Sequence, residues 1–116
     1  MVSRGQAVVT DFAVAGTPKK VRPALVVQAD HYNRKMSNTV VAMITTNLSR
    51  ALEPSHLLID ISTPEGKSSG LLHSSVVNCN TLTTIRQREV LRVLGSLAGS
   101  AMQRIDECLK AALAIA

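Results

Sequence analysis

The stretch from Lys19 to Asn47, KKVRPALVVQADHYNRKMSNTVVAMITTN, constrains this chain more than any other. It holds two short, Val-rich runs, Pro23 to Gln28 and Asn38 to Ile44, on either side of a polar, basic segment. Runs this short and this rich in β-branched residues suit buried strands better than helices. The segment between them, Asp30 to Ser37, reads as a connecting loop. If the two strands pair antiparallel through it, Arg22 at the start of one comes near Thr45 at the end of the other. A permanent cation then stands beside a hydroxyl at one end of a sheet. That pair suits a phosphate, because guanidinium offers a planar fork of donors and the hydroxyl offers one more. A solvated strand-end charge and an ordinary strand threonine account for the same two residues.

The rest of the chain continues the β pattern. Gln6 to Phe12 reads as the first strand, and Ala13 to Val21 as a loop broken by Gly16 and Pro18. Ser55 to Ile61 is another strand, followed by a turn from Ser62 to Ser69. Gly70 to Asn80 is strand-like, firmest from Ser75 to Cys79, and Thr81 to Arg86 reads as a turn with a helical twist. Val90 to Leu97 reads as a last strand, though its pattern also fits a helix from Arg86 to Leu94. The end of the chain is helical: Met102, Ile105, Leu109 and Leu113 fall on one stripe, with Ser100 as the expected cap. At 116 residues the chain reads as one domain, residues 1–116, with a core of aliphatic side chains, since only 2% of the residues are aromatic.

The formal net charge of +5 suits nucleic acid or an acidic protein partner, and suits plain solubility equally well. Scarce aromatics argue against a base-stacking platform. Cys79 and Cys108 make no metal-spaced cluster, and no His/Asp/Glu grouping has ligand spacing, so no metal and no cofactor are expected. Without a signal peptide or a long apolar run, the chain is expected to be cytoplasmic, with no membrane association and with reduced, packed thiols.

Arg22-Pro23 ahead of a strand, followed by a strand ending Ile44-Thr45, resembles the MazF/PemK (Kid) toxins of bacterial toxin–antitoxin pairs. Arg4-Gly5-Gln6 is similar to that family's opening motif. Gly70-Leu71 with Ser75-Val76-Val77, and Met102 with Ile105-Asp106 and Leu109, are similar to its later segments, in the same order. The resemblance implies a mainly β chain with a C-terminal helix, built as a small SH3-like barrel of curled antiparallel sheet (the CcdB/MazF/Kid toxin-like fold), in a symmetric homodimer. It implies a metal-independent, sequence-specific endoribonuclease that cleaves single-stranded RNA through 2′-OH attack, leaving a 2′,3′-cyclic phosphate. Its partner would be a MazE-like antitoxin with an acidic, flexible tail.

The resemblance carries catalytic roles onto Arg22 and Thr45. Arg22 would stabilise charge on the phosphate, and would pass a proton to the leaving group if neighbouring cations loosen it. Thr45 would donate to a phosphate oxygen. RNA contacts are expected from Lys19, Lys20, Gln28, Thr46, Asn78 and Asn80. The chain also departs from the family. The loop before Arg22-Pro23 lacks the usual Glu, and the Arg-Cys-Asp of Kid-like members is Asn78-Cys79-Asn80. An amide cannot take a proton at neutral pH, so the acidic base is missing from both familiar places. The amides suit reading base edges, and suit a turn equally. Of the three histidines, His73 and then His31 are the replacement bases to consider, while His56 opens a strand away from the expected site. With nothing tying His73 to Arg22, the reading favoured is electrostatic stabilisation with water as proton acceptor. The competing functions are a non-enzymatic binder of the same fold, such as a CcdB-like gyrase poison, or an inactive homologue that binds antitoxin.

Overall fold

Alternating Val, Ile and Leu place one side of each strand against a core and leave polar partners for the other side. The computed structural model describes residues 1–12 and 20–116. Lys19 and the expected Gly16-Thr17-Pro18 turn lie outside the described residues. The elements are β1 (Gln6–Phe12), β2 (Lys20–Val26), α1 (Asp30–Lys35), β3 (Asn38–Thr45), β4 (His56–Ile59), α2 (Pro64–Ser68), β5 (Ser75–Arg86), β6 (Val90–Ser96) and α3 (Ser100–Leu113). The strands form one sheet in the order β4-β5-β3-β2-β1-β6, and every pairing is antiparallel. The sheet is not closed: β4 and β6 are its two edges.

One face packs on α3. Leu25, Ala42, Ile44, Val77 and Cys79 from the sheet meet Ala101, Ile105 and Cys108 from the helix. The buried stripe therefore runs through Ala101, Ile105 and Cys108, with Met102 and Leu109 at its margins, while Leu113 is exposed. Small side chains at 101 and 108 let the helix lie close to the sheet, and full burial of Ile105 contributes about 2–3 kcal/mol. Burial pushes the Cys79 thiol up to about 12, the neighbouring Cys108 adding to the rise. Gly99 occupies the cap position and Ser100 is the first helical residue, with no side-chain cap bond. The Arg4-Gly5-Gln6 opening is structural here. Arg4 donates from Nε to the Val27 carbonyl and from a terminal nitrogen to Asp106 of α3 at 2.6 Å. Gly5 sits at φ +95, where a Cβ would meet the Leu97 carbonyl oxygen at 2.6 Å.

The other face buries Val8, Ala24, Val26, Val41 and Ile85 with Val2. No helix covers this second cluster among the described residues. Register shifts in β1 and between Ala42 and Met43 of β3 mark where the sheet departs from a regular ladder and can bend.

Three segments differ from the sequence reading. Asp30–Lys35 is a helix rather than a loop. It has no apolar stripe to reveal it and is pinned by Asn33, 2% exposed, whose amide bonds Gln28, Asp30 and Thr39. Pro64–Ser68 is a short helix rather than a turn, with Thr63 accepting from the Gly66 amide. Thr81 to Arg86 is not a turn either: β5 runs unbroken from Ser75 to Arg86. β2 also begins and ends earlier than expected, because Lys20 to Arg22 pair with β1.

Candidate active site

Cross-strand partners share a face of the sheet, so the register sorts the expected site residues. Arg22 pairs with Thr10 and Val8 with Ala24, and Lys20 lies two residues before Arg22; these belong to the face away from α3. β2 and β3 pair through Ala24–Met43 and Val26–Val41. Carried two residues toward the strand ends, that register sets Arg22 against Thr45 on the same face. Arg22 is half-buried and Lys20 exposed. The Thr45 Oγ1 accepts the Asn47 amide at 3.1 Å, which starts the turn out of β3 and leaves the hydroxyl proton free to donate outward.

Asn78 pairs with Met43 on β3 and with His56 on β4. It therefore belongs to the face that carries Thr45. It does not end a strand. Ala42 pairs with Leu82 and Met43 with Asn78, so Cys79, Asn80 and Thr81 form a bulge within β5 that has no partner on β3, Cys79 remaining in the core. Asn78 closes this bulge, accepting from the Asn80 amide at 2.8 Å and donating to the Thr81 hydroxyl at 3.1 Å. One amide proton and one lone pair remain for a ligand. Asn80 donates to the Ser55 hydroxyl at 2.6 Å.

Thr45, Asn78, Met43, Asn47, Ser49, Arg50 and His56 line one hollow of about 250 Å³. His56, set aside on sequence, thus shares a hollow with Thr45. The residues preferred over it do not. His73 is exposed and lines a different hollow of about 290 Å³, with Thr46, Pro23 and Arg92. Pro23 and Arg92 both pair with Val9, on the face toward α3. Thr46 is therefore on the His73 side as well. His31 lies in α1, beyond the far end of β2 from Arg22, with its ring edge-on to Tyr32 at 5.1 Å. Four residues of strand, Pro23 to Val26, lead from Arg22 to that end, roughly 13 Å of rise. Gln28 sits at this distant end too, its amide donating to Asn33 and to the Asn38 carbonyl.

A small curled sheet with one packed helix, carrying Lys20, Arg22, Thr45 and two amides on the opposite face, defines a compact β protein with an anion-suited polar surface. The family model of the PemK-like, MazF-like toxin of type II toxin–antitoxin systems matches residues 3–113. Endoribonuclease EndoA of Bacillus subtilis (strain 168) is 32% identical over 117 aligned residues, covering 99% of this chain and 97% of the relative. Endoribonuclease MazF6 of Mycobacterium tuberculosis (strain ATCC 25618 / H37Rv) is 30% identical over 97 residues, covering 83% and 81%. Among solved structures, an endoribonuclease in complex with its cognate antitoxin from Mycobacterial species has the same fold. Its TM-score is 0.78 at 24% identity, over 100% of this chain and 98% of the other. The chain belongs to the PemK-like, MazF-like toxins of type II toxin–antitoxin systems.

Proposed function

We propose that this toxin is a metal-independent endoribonuclease that cuts single-stranded RNA by attack of a ribose 2′-OH on the adjacent phosphate. The observation that carries the reading is the shared face of Lys20, Arg22, Thr45 and Asn78. A guanidinium is a permanent cation with no proton to exchange, so the part of Arg22 is to hold the charge that builds on the phosphate oxygens. The Thr45 hydroxyl, already accepting from the turn, donates its proton to one of those oxygens. Lys20 adds positive field at the strand start, and Lys19 precedes it in the chain. Asn78 and Asn80 offer amide groups to base edges. Gln28 and Thr46 stand away from this group, so any RNA contact they make is outside the reacting centre.

A long single-stranded RNA incubated with the purified protein is expected to be cut at a short recurrent sequence, with the same pattern and rate in EDTA. Cutting that vanishes in EDTA and returns with a divalent ion would refute metal independence. Intact RNA together with inhibition of gyrase would point to a binder of the same fold.

The homodimer and the antitoxin belong to the same proposal. An acidic antitoxin tail, disordered alone, would fold onto the basic face and shut it. The toxin's working compartment is the cytoplasm, where both RNA and antitoxin are made; no helix among the described residues is long and apolar enough to cross a membrane. Sedimentation at micromolar concentration is expected to give a dimer, and a stable monomer there would rule the dimer out.

A further inference from the structure

We propose that His56 is the base that takes the 2′-OH proton. The proposal rests on the endoribonuclease reading above and supplies the group that reading lacks.

Four observations place His56. It pairs with Asn78, which pairs with Met43, so it stands on the Arg22 and Thr45 face, two strands from β3. That separation is about 10 Å at ordinary strand spacing, and both side chains open into one hollow with Asn78. A phosphate against Thr45 then sets its neighbouring ribose over the Met43–Asn78 row, toward the imidazole.

The ring is held at one nitrogen and open at the other. Nδ1 is 3.0 Å from the Ser55 hydroxyl and 3.8 Å from a Glu53 carboxylate oxygen. Ser55 is itself fixed by the Asn80 amide at 2.6 Å. No buried side-chain nitrogen or oxygen among the described residues lacks a partner. Nε2 has no hydrogen bond among those residues, and the side chain, only 4% exposed, lines the hollow. Glu53 favours the proton on Nδ1, which leaves the Nε2 lone pair to act as acceptor. This arrangement, an imidazole oriented through Nδ1 by a carboxylate-bearing loop with Nε2 free, is that of a general base.

The step balances. Nε2 takes the 2′-OH proton, the O2′–P bond forms, and the P–O5′ bond breaks. The departing 5′ oxygen takes a proton from water, and the imidazolium returns its proton to water. The other charged groups around the ring are Glu53 and Arg50, ion-paired to each other at 2.9 Å. The facing residues of β3 and β5, Met43, Thr45, Asn78 and Asn80, do not titrate.

The test is a single-turnover pH–rate profile on a defined RNA for wild type, His56→Gln and His56→Asn. Wild type is expected to lose rate as falling pH puts a proton on the base. His56→Gln is expected to lose that limb and about 100-fold in rate at neutral pH. A merely structural histidine would lower the rate without changing the shape of the profile. Should His56→Gln fail to fold, His56→Asn, whose shorter amide can still meet the Ser55 hydroxyl, decides instead, and a limb that persists there overturns the proposal. So does a His56→Gln profile that keeps the limb, or a wild-type rate that climbs from pH 5 without one. A wild type that cuts no RNA at all instead refutes the underlying reading.

Discussion

Arg22→Ala is expected to slow RNA cleavage by roughly 150-fold, the consequence of losing about 3 kcal/mol of transition-state stabilisation. The guanidinium is half-buried at the start of β2 and belongs to neither core cluster, so the folded state does not depend on it. Thermal midpoints of wild type and variant should agree, which separates loss of chemistry from loss of fold. Arg22→Lys keeps the charge but not the fork, and should recover only part of the rate. Thr45 is separable in the same way. Thr45→Ser keeps both the outward donor and the turn bond to the Asn47 amide, whereas Thr45→Ala removes both. Serine should stay near wild type and alanine should fall. An Arg22→Ala protein that cuts at the wild-type rate would mean that the reacting phosphate binds elsewhere.

A larger effect is expected from changing the substrate. A single 2′-deoxy nucleotide on the 5′ side of the scissile phosphate should abolish cutting altogether, because it removes the nucleophile. Binding should survive, since the cationic and amide groups address phosphates and bases. The uncut oligonucleotide should therefore compete with all-ribose substrate at about its own affinity. End-group analysis of the normal reaction should give a 2′,3′-cyclic phosphate and a 5′ hydroxyl. Cleavage of the deoxy substrate would mean that water attacks directly, and would remove the role given to His56 together with the scheme.

The parts of this architecture that the chain announces are those set by near neighbours. β1 and β3 follow from short runs rich in Val, β6 from a run whose pattern also fitted a helix, and α3 from its helical stripe. The antiparallel pairing of β2 with β3, on which the expected approach of Arg22 to Thr45 rests, was legible because one short segment joins the two strands. His56 was not legible. Its closeness to Thr45 depends on β4 and β3 flanking β5, at a register fixed by Asn78. That is long-range information, and two asparagines in three residues disguised it by reading as the end of a strand. α1 was missed for a related reason. Its anchor is a buried amide network around Asn33, which leaves no hydrophobic period to detect. His73, near Asn78 in sequence, is carried to the other face before β5 begins.

The bulge in β5 has a bearing on how such a toxin diverges. Three residues, Cys79, Asn80 and Thr81, stand between the part of β5 that pairs at Met43 and the part that pairs at Ala42. Deleting Asn80 and Thr81 would leave an ordinary one-residue bulge at Cys79 and keep both ladders. Each ladder fixes its own half of β5, so Val76 and Val77 stay wholly buried when the bulge between the halves changes length. The bulge is therefore a place where the amides can be exchanged while the packing beneath them stays as it is.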